Sequence, residues 1–346
     1  MEGPATRLAG SLVAAAFLLG ACASGAPTTP ASADVSTYFG PPIVLKSTVA
    51  SQATASVLAP GVVHADVIET DVALAFFNAK RAEVGLPPVA FDANIARAAS
   101  AHAHYLTLND ASGHDEIEGH PGFSGIDATA RVRRHTDAYG ASEVLSVLSN
   151  HGSAQDALDQ IFASPYHRGA IFFDWVRAGG ARESTNRSIT VVDFADIGHA
   201  LADNELVAYP YDGQRDVPAA WTDNEVPDPL GPGSAYRGQD VGYPITLSGG
   251  ASAHIELRTL ELRDANGHKV PCHIAALTEA DRGRNTAVCT PYQPLAAGTR
   301  YSVHATGTLS QISKFSNASF VFDWQFATRR ANTPMRVAGD GQPSAQ

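Results

Sequence analysis

Apolar positions recur at helical spacing through the first half of the chain and alternate at strand spacing through the last third. Val72, Phe76 and Ala79 fall at i, i+4 and i+7, and Gly85 with Pro87-Pro88 ends the run, which predicts a helix from about Asp71 to Val84. A second helix starts after Asp92, a good N-cap, and lines Ile95, Ala98, Ala99, His102 and Leu106 along one face. His102 therefore sits on an apolar stripe, as a hydrogen-bonded core histidine does. A loop rich in His, Gly and acids runs from Asn109 to Asp127, and a short helix covers about Thr129 to His135. Ser153 caps another helix with Ala154, Ala157, Leu158 and Ile161 on one side, and Ser164-Pro165 opens a further one. Strand-like segments stand at Ala178–Ala181 and Ser188–Phe194, so the first domain is α+β with helices dominant.

From about Ala200 to Gly231 the chain is breaker-rich and reads as an ordered connector. An all-β pattern follows. Ile255–Leu262 and His268–Ile274 flank Asn266-Gly267, a two-residue hairpin signal, and Tyr301, Val303 and Ala305 alternate with polar neighbours. Phe320, Phe322, Trp324 and Phe326 put one aromatic face on a final strand. Strands separated by turns in this way predict an immunoglobulin-like β-sandwich.

Composition adds compartment and excludes a partner class. The chain has 346 residues, a formal net charge of −11, 44% hydrophobic and 17% charged residues, which fits a globular protein and argues against a broad nucleic-acid surface. At the amino end, Arg7 precedes an uncharged run from Leu8 to Ala21, shorter than the ~20 apolar residues of a membrane span. Leu19-Gly20-Ala21-Cys22 resembles the lipobox of bacterial lipoproteins, which implies cleavage before Cys22, fatty acylation (palmitate) of its thiol, and retention at the cell envelope. Ala23 in place of Asp resembles the outer-membrane sorting pattern of Gram-negative lipoproteins. The expected organisation is a signal segment 1–21, an Ala/Ser/Thr/Pro-rich tether 22–65, an α+β domain 66–200, the connector 201–231, a β-sandwich 232–330 and a disordered tail 331–346. With Cys22 acylated, Cys272 and Cys289 remain as an even pair, expected to be a disulfide in an oxidising compartment.

The chemistry-bearing residues occur in the order His114, His120, Glu143 and His167. They lie in Gly113-His114-Asp115-Glu116, Gly119-His120-Pro121, Ser142-Glu143-Val144 and Ser164-Pro165-Tyr166-His167-Arg168. With Phe77-Asn78-Ala79-Lys80-Arg81 and Gly85-Leu86-Pro87-Pro88 before them, these segments resemble the bacterial branch of the CAP superfamily. That superfamily contains cysteine-rich secretory proteins, antigen 5 and pathogenesis-related plant proteins. The resemblance runs from about Asp66 to Asp196 and implies an α-β-α sandwich with a cleft of histidines and acids, which in several members coordinates a divalent metal. Position by position, His167 matches the second histidine and Glu143 the first glutamate. The first histidine is His114 or His120. His114 has the His-acid-acid setting and is preferred, whereas His120 is better spaced from Arg131. The position expected for a second acid holds Ser164, so the implied site has two histidines and one carboxylate.

Two imidazoles and a carboxylate can hold zinc or magnesium with water completing the shell; they can equally form a hydrogen-bonded cluster that fixes the cleft. Both readings stay open at this level. His102-Ala103-His104 lacks zincin spacing, and Arg131, Arg133 and Arg134 read as a solvated helix face. The resemblance implies a non-enzymatic surface module, anchored to the membrane through lipidated Cys22, that binds a lipid, a sterol or a protein partner. The alternative is a metal-dependent envelope hydrolase using the same cleft.

Overall fold

The computed structural model describes residues 42–46, 65–149, 152–275, 285–311 and 316–331, all within one compact unit, 38–346. The signal segment, Cys22, most of the tether and all but the first residue of the tail lie outside the described residues. No helix among the described residues is long and apolar enough to cross a membrane.

A two-residue strand β1 (Val44–Leu45) precedes helix α1 (Ala65–Glu83), β2 (Ala90–Phe91), α2 (Ala93–Leu108) and α3 (Ala128–Arg133). Next come β3 (Ala141–Ser149), α4 (Ala154–Ala163), α5 (Pro165–Ile171), β4 (Trp175–Ser184) and β5 (Arg187–Ile197). Strands β2, β4, β5 and β3 form one sheet in that order, with β2 parallel to β4 and the other pairs antiparallel. Residues alternate across β5. Ile189, Val191 and Ala195 pack with α2, while Val192 and Phe194 join the core shared with α1, α4 and α5. Helices thus cover both faces, giving an α-β-α sandwich.

Local chemistry explains the elements. Asp92 caps α2 through the N–H groups of Asn94 and Ile95, and Ser153 and Asp156 close a reciprocal capping box on α4. The predicted α2 stripe is fully buried. The α1 stripe is shifted by one position: Ala73, Leu74 and Phe77 face the core, and Val72 is exposed. The reason is Arg81, which continues the Ala73–Phe77 stripe and is itself buried, donating to the carbonyls of Pro87, Ile171 and Phe173. Asn78 brackets the backbone of Val89 through both ends of its amide. The Asn-Ala-Lys-Arg run is therefore a device that ties α1 to the Pro-Pro turn and to the end of α5.

The connector differs from its expected form. It supplies β6 (Glu205–Tyr209), β7 (Gln214–Val217) and β8 (Ala220–Thr222). The last third adds β9 (Asp240–Gly242), β10 (Ile245–Ser248), β11 (Ala253–Arg263), β12 (Lys269–Val270), β13 (Cys272–Ile274), β14 (Thr286–Pro291), β15 (Arg300–Gln311) and β16 (Ser316–Thr328). Two five-stranded sheets result, β1-β6-β10-β14-β13 and β12-β11-β15-β16-β7, while β8 pairs with β9. Both sheets take strands from 201–231, and one takes β1 from the stretch expected to be tether, so the β-sandwich begins earlier in the chain than the hydropathy pattern suggests. Their inner faces share a core that includes Leu247, Ile255, Val303, Phe320 and Trp324.

The Asn266-Gly267 turn does form a hairpin, but β12 is short. The expected strand His268–Ile274 is split at Pro271, which has no N–H to continue a ladder, and β13 pairs with β14 in the opposite sheet. Cys272 and Cys289 are disulfide-bonded across β13 and β14, with Cα atoms 5.7 Å apart.

Candidate functional site

The site is built beside edge strand β3 of the α-β-α sandwich. The loop carrying His114 is anchored from below by Glu116, which is buried. Its carboxylate accepts from Ser124 N–H at 2.5 Å, Ser124 Oγ at 2.8 Å and Gly125 N–H at 3.1 Å, and it faces His102 Nδ1 at 2.9 Å. Nε2–H of His102 donates to the carbonyl of Gly113 at 3.1 Å, so α2 holds the loop on both sides of His114. Gly125 has φ +155°, and a Cβ there would lie 2.9 Å from the Arg131 backbone nitrogen. Only glycine lets the loop close onto α3 at this point.

Arg131 is fully buried rather than solvated. Its guanidinium donates to Glu143 Oε2 at 2.6 Å and lies 4.0 Å from Glu116. Arg133 and Arg134 do remain exposed, Arg133 on the carbonyls of Ala138 and Tyr139 and Arg134 over the Phe123 ring. The helix face was misread at one position because its neutralising carboxylates come from the loop and from β3.

Glu143 lies within β3, with Asp193 of β5 directly opposite. Its other oxygen meets His114 Nδ1 at 2.8 Å. Burial opposes ionisation of Glu143, but the His114 hydrogen bond and the charge of Arg131 outweigh it and hold the carboxyl below its usual range. Asp193 is pushed the other way. Burial and the adjacent Glu143 carboxylate raise it well above the ordinary value.

His167 sits in the first turn of α5, placed by Pro165 at the start of that helix. Its ring lies 6.0 Å from that of His114, centroid to centroid. Ser164, the residue before, turns its hydroxyl back to Gln160 and leaves the helix end without a side-chain cap of its own. That role passes to Glu225 of the connector, whose carboxyl accepts the N–H groups of Tyr166 at 3.1 Å and His167 at 2.8 Å. It also faces His167 Nδ1 at 3.3 Å. Burial, with help from His114, pushes His167 down to about 3. Burial pushes Glu225 up to about 8 against the pull of the two N–H donors. The pair therefore meets as a neutral imidazole and a carboxylic acid at neutral pH.

These groups line a cavity of about 570 Å³, bounded by α3, β3 and α5, the connector at Val226-Pro227, and the β-sandwich at Thr286 and Val288. Phe173 and Trp175, with ring centroids 4.7 Å apart, form an aromatic wall. His114, Glu143 and His167 all lie in it, whereas His120 stands on an exposed turn outside. The second carboxyl, missing from the sequence reading, is Glu225. The donors do not present themselves to a shared metal ion. Both oxygens of Glu143 are engaged, Glu225 is held by backbone N–H groups, and among the described residues no set of three His, Cys, Asp or Glu side chains is arranged around a common point.

The β-sandwich is a fixed part of the site. Arg168 of α5 is fully buried and donates to the carbonyls of Phe162, Ala163 and Pro244, with its guanidinium over the rings of Tyr209 and Tyr243. One continuous core runs from α1 to Phe326.

No curated protein matches the chain. Solved structures similar to it include an outer surface protein of Borrelia burgdorferi, 19% identical, over 38% of this chain and 94% of that one, with a TM-score of 0.32. They also include an extracellular protein containing an SCP domain from Bacillus anthracis, 18% identical, over 39% of this chain and 45% of that one, with a TM-score of 0.31. The match thus spans less than half of the Bacillus anthracis chain. Residues 74–223 match the model of the Cysteine-rich secretory protein family, and this chain carries a CAP domain.

Proposed function

We propose that this protein is a lipid-anchored, extracytoplasmic, non-enzymatic module that binds a small amphipathic molecule in the cleft between its CAP domain and its β-sandwich. The observation that carries this reading is the cavity itself. At about 570 Å³ it falls in the size range of small-molecule sites, with polar groups at His114, His167 and Glu225 and an apolar wall at Phe173 and Trp175. The polar groups are tied to one another, which suits a rigid receptor surface better than a nucleophile or metal-bound water poised for attack. Anchoring through Cys22 would hold this cleft at the envelope, in keeping with the outer-surface and extracellular descriptions of the two similar structures.

Titration with an environment-sensitive hydrophobic fluorophore tests the reading. Saturable one-site binding is expected, and Ala128→Trp, which fills the cavity from the start of α3, abolishes it without lowering the melting temperature. Unsaturable binding, or binding indifferent to Ala128→Trp, would exclude the cleft.

A further inference from the structure

The charge of the cavity lining narrows the ligand class. We infer, building on the amphipath reading above, that the occupant of this cleft is an organic cation, an amine or quaternary ammonium carrying an apolar body. Four carboxyl side chains line the cavity from four separate segments: Asp115 from the His114 loop, Asp127 from the α3 cap, Glu143 from β3 and Glu225 from the connector. Among the described residues, none that lines it is Lys or Arg.

Among the described residues, two cations beside the lining are already committed. Arg131 is buried behind Glu143 and donates to it, and Arg168 is buried on main-chain carbonyls. Residues 276–284, between the lining residues Ala275 and Asn285, lie outside the described residues; their sequence holds Glu279, Asp281, Arg282 and Arg284, so their formal charges cancel.

An anionic head group entering this cleft would lose its hydration and find carboxyl oxygens instead of a counter-ion. Glu143 is already matched by Arg131 and Glu225 holds its proton, so a cationic head group finds its attraction in the carboxyl groups of Asp115 and Asp127 and in the faces of Phe173 and Trp175, both of which are partly exposed. The aromatic wall also distinguishes an organic cation from an inorganic one, because it offers surface for an apolar body and no ligand atom.

Three ten-carbon amphiphiles that differ only in their head groups test the inference: decyltrimethylammonium, decanol and decanoate, each below its micellar concentration. They compete for the fluorophore on the full chain carrying Cys22→Ser, so that no acyl group competes. Decyltrimethylammonium is expected to displace the probe at a concentration about tenfold lower than decanol, with decanoate weakest. In Asp115→Asn/Asp127→Asn the preference for the cation over decanol falls toward unity. Ala128→Trp abolishes displacement by the cation, which separates cleft binding from general attraction to an acidic protein.

Decanol or decanoate matching the cation would overturn the inference and leave the amphipath reading standing. A preference for the cation that survives Ala128→Trp would also overturn it. Failure of all three compounds to displace the probe would overturn the inference and the amphipath reading together.

Discussion

Gly169 of α5 approaches Thr286 of β14 so closely that a Cβ added to the glycine would fall 2.2 Å from the threonine Oγ1 and 2.9 Å from its Cβ. The CAP domain therefore docks on the sandwich through bare backbone, beside the cavity that both of them line. Gly169→Ala is expected to force the two apart and to lower stability by about 1–3 kcal/mol, the range for overpacking a close contact. It should also weaken fluorophore binding, and Thr286→Ala should recover much of both losses. Urea denaturation and probe titration on the two single variants and the double variant check this. A Gly169→Ala protein as stable as its parent would show that the interface is loose.

The His167–Glu225 pair predicts opposite limbs of a stability profile. Glu225 lies at about 8 when folded, against an ordinary 4.5, so the folded state keeps a proton that the unfolded chain releases. Its contribution is complete below 4.5 and is lost as pH rises through about 8. His167 lies at about 3 against an ordinary 6.5, so its contribution is complete above 6.5 and is lost as pH falls through about 3. Urea midpoints across pH 4–9 should therefore lose their alkaline decline in Glu225→Gln and much of their acid decline in His167→Asn. Profiles of unchanged slope in both variants would remove the pair from the account.

Arg131→Met leaves Glu143 and Glu116 buried without their cation. The expected loss is about 3–5 kcal/mol, as for other buried ion pairs broken on one side. Adding Glu143→Gln should return part of that loss, because the second substitution removes the stranded charge. Denaturation of the single and double variants reads the coupling directly. A cost below about 1 kcal/mol for Arg131→Met would mean that water reaches the pair.

How much of this was legible in the sequence depended on whether the cause was local. The α2 stripe, its Asp92 cap, the Ser153 box and the aromatic face of β16 could be read because each is fixed by neighbours a few positions away. Strand β3 was not, since it has buried residues on both faces and shows no clean alternation. Helix α1 misled by one position because a buried arginine continues its core stripe.

In the site, His114, Glu143 and His167 were found through family-like segments, and all three line the cavity. Glu225 was missed because its partner His167 is 58 residues away and nothing beside it marks a functional carboxyl. Arg131 was missed for a related reason: a run of arginines on a short helix looks solvated until distant carboxylates are folded against it.

The central claim is that a ligand is held jointly by the CAP domain and the β-sandwich. Photocrosslinking with a diazirine-bearing alkyl trimethylammonium, mapped by mass spectrometry, tests it most directly. Label is expected on peptides containing Phe173 and Trp175 and on the peptide containing Thr286 and Val288, with both lost in Ala128→Trp. Label confined to either domain alone, or spread over the surface and unaffected by Ala128→Trp, would contradict the account.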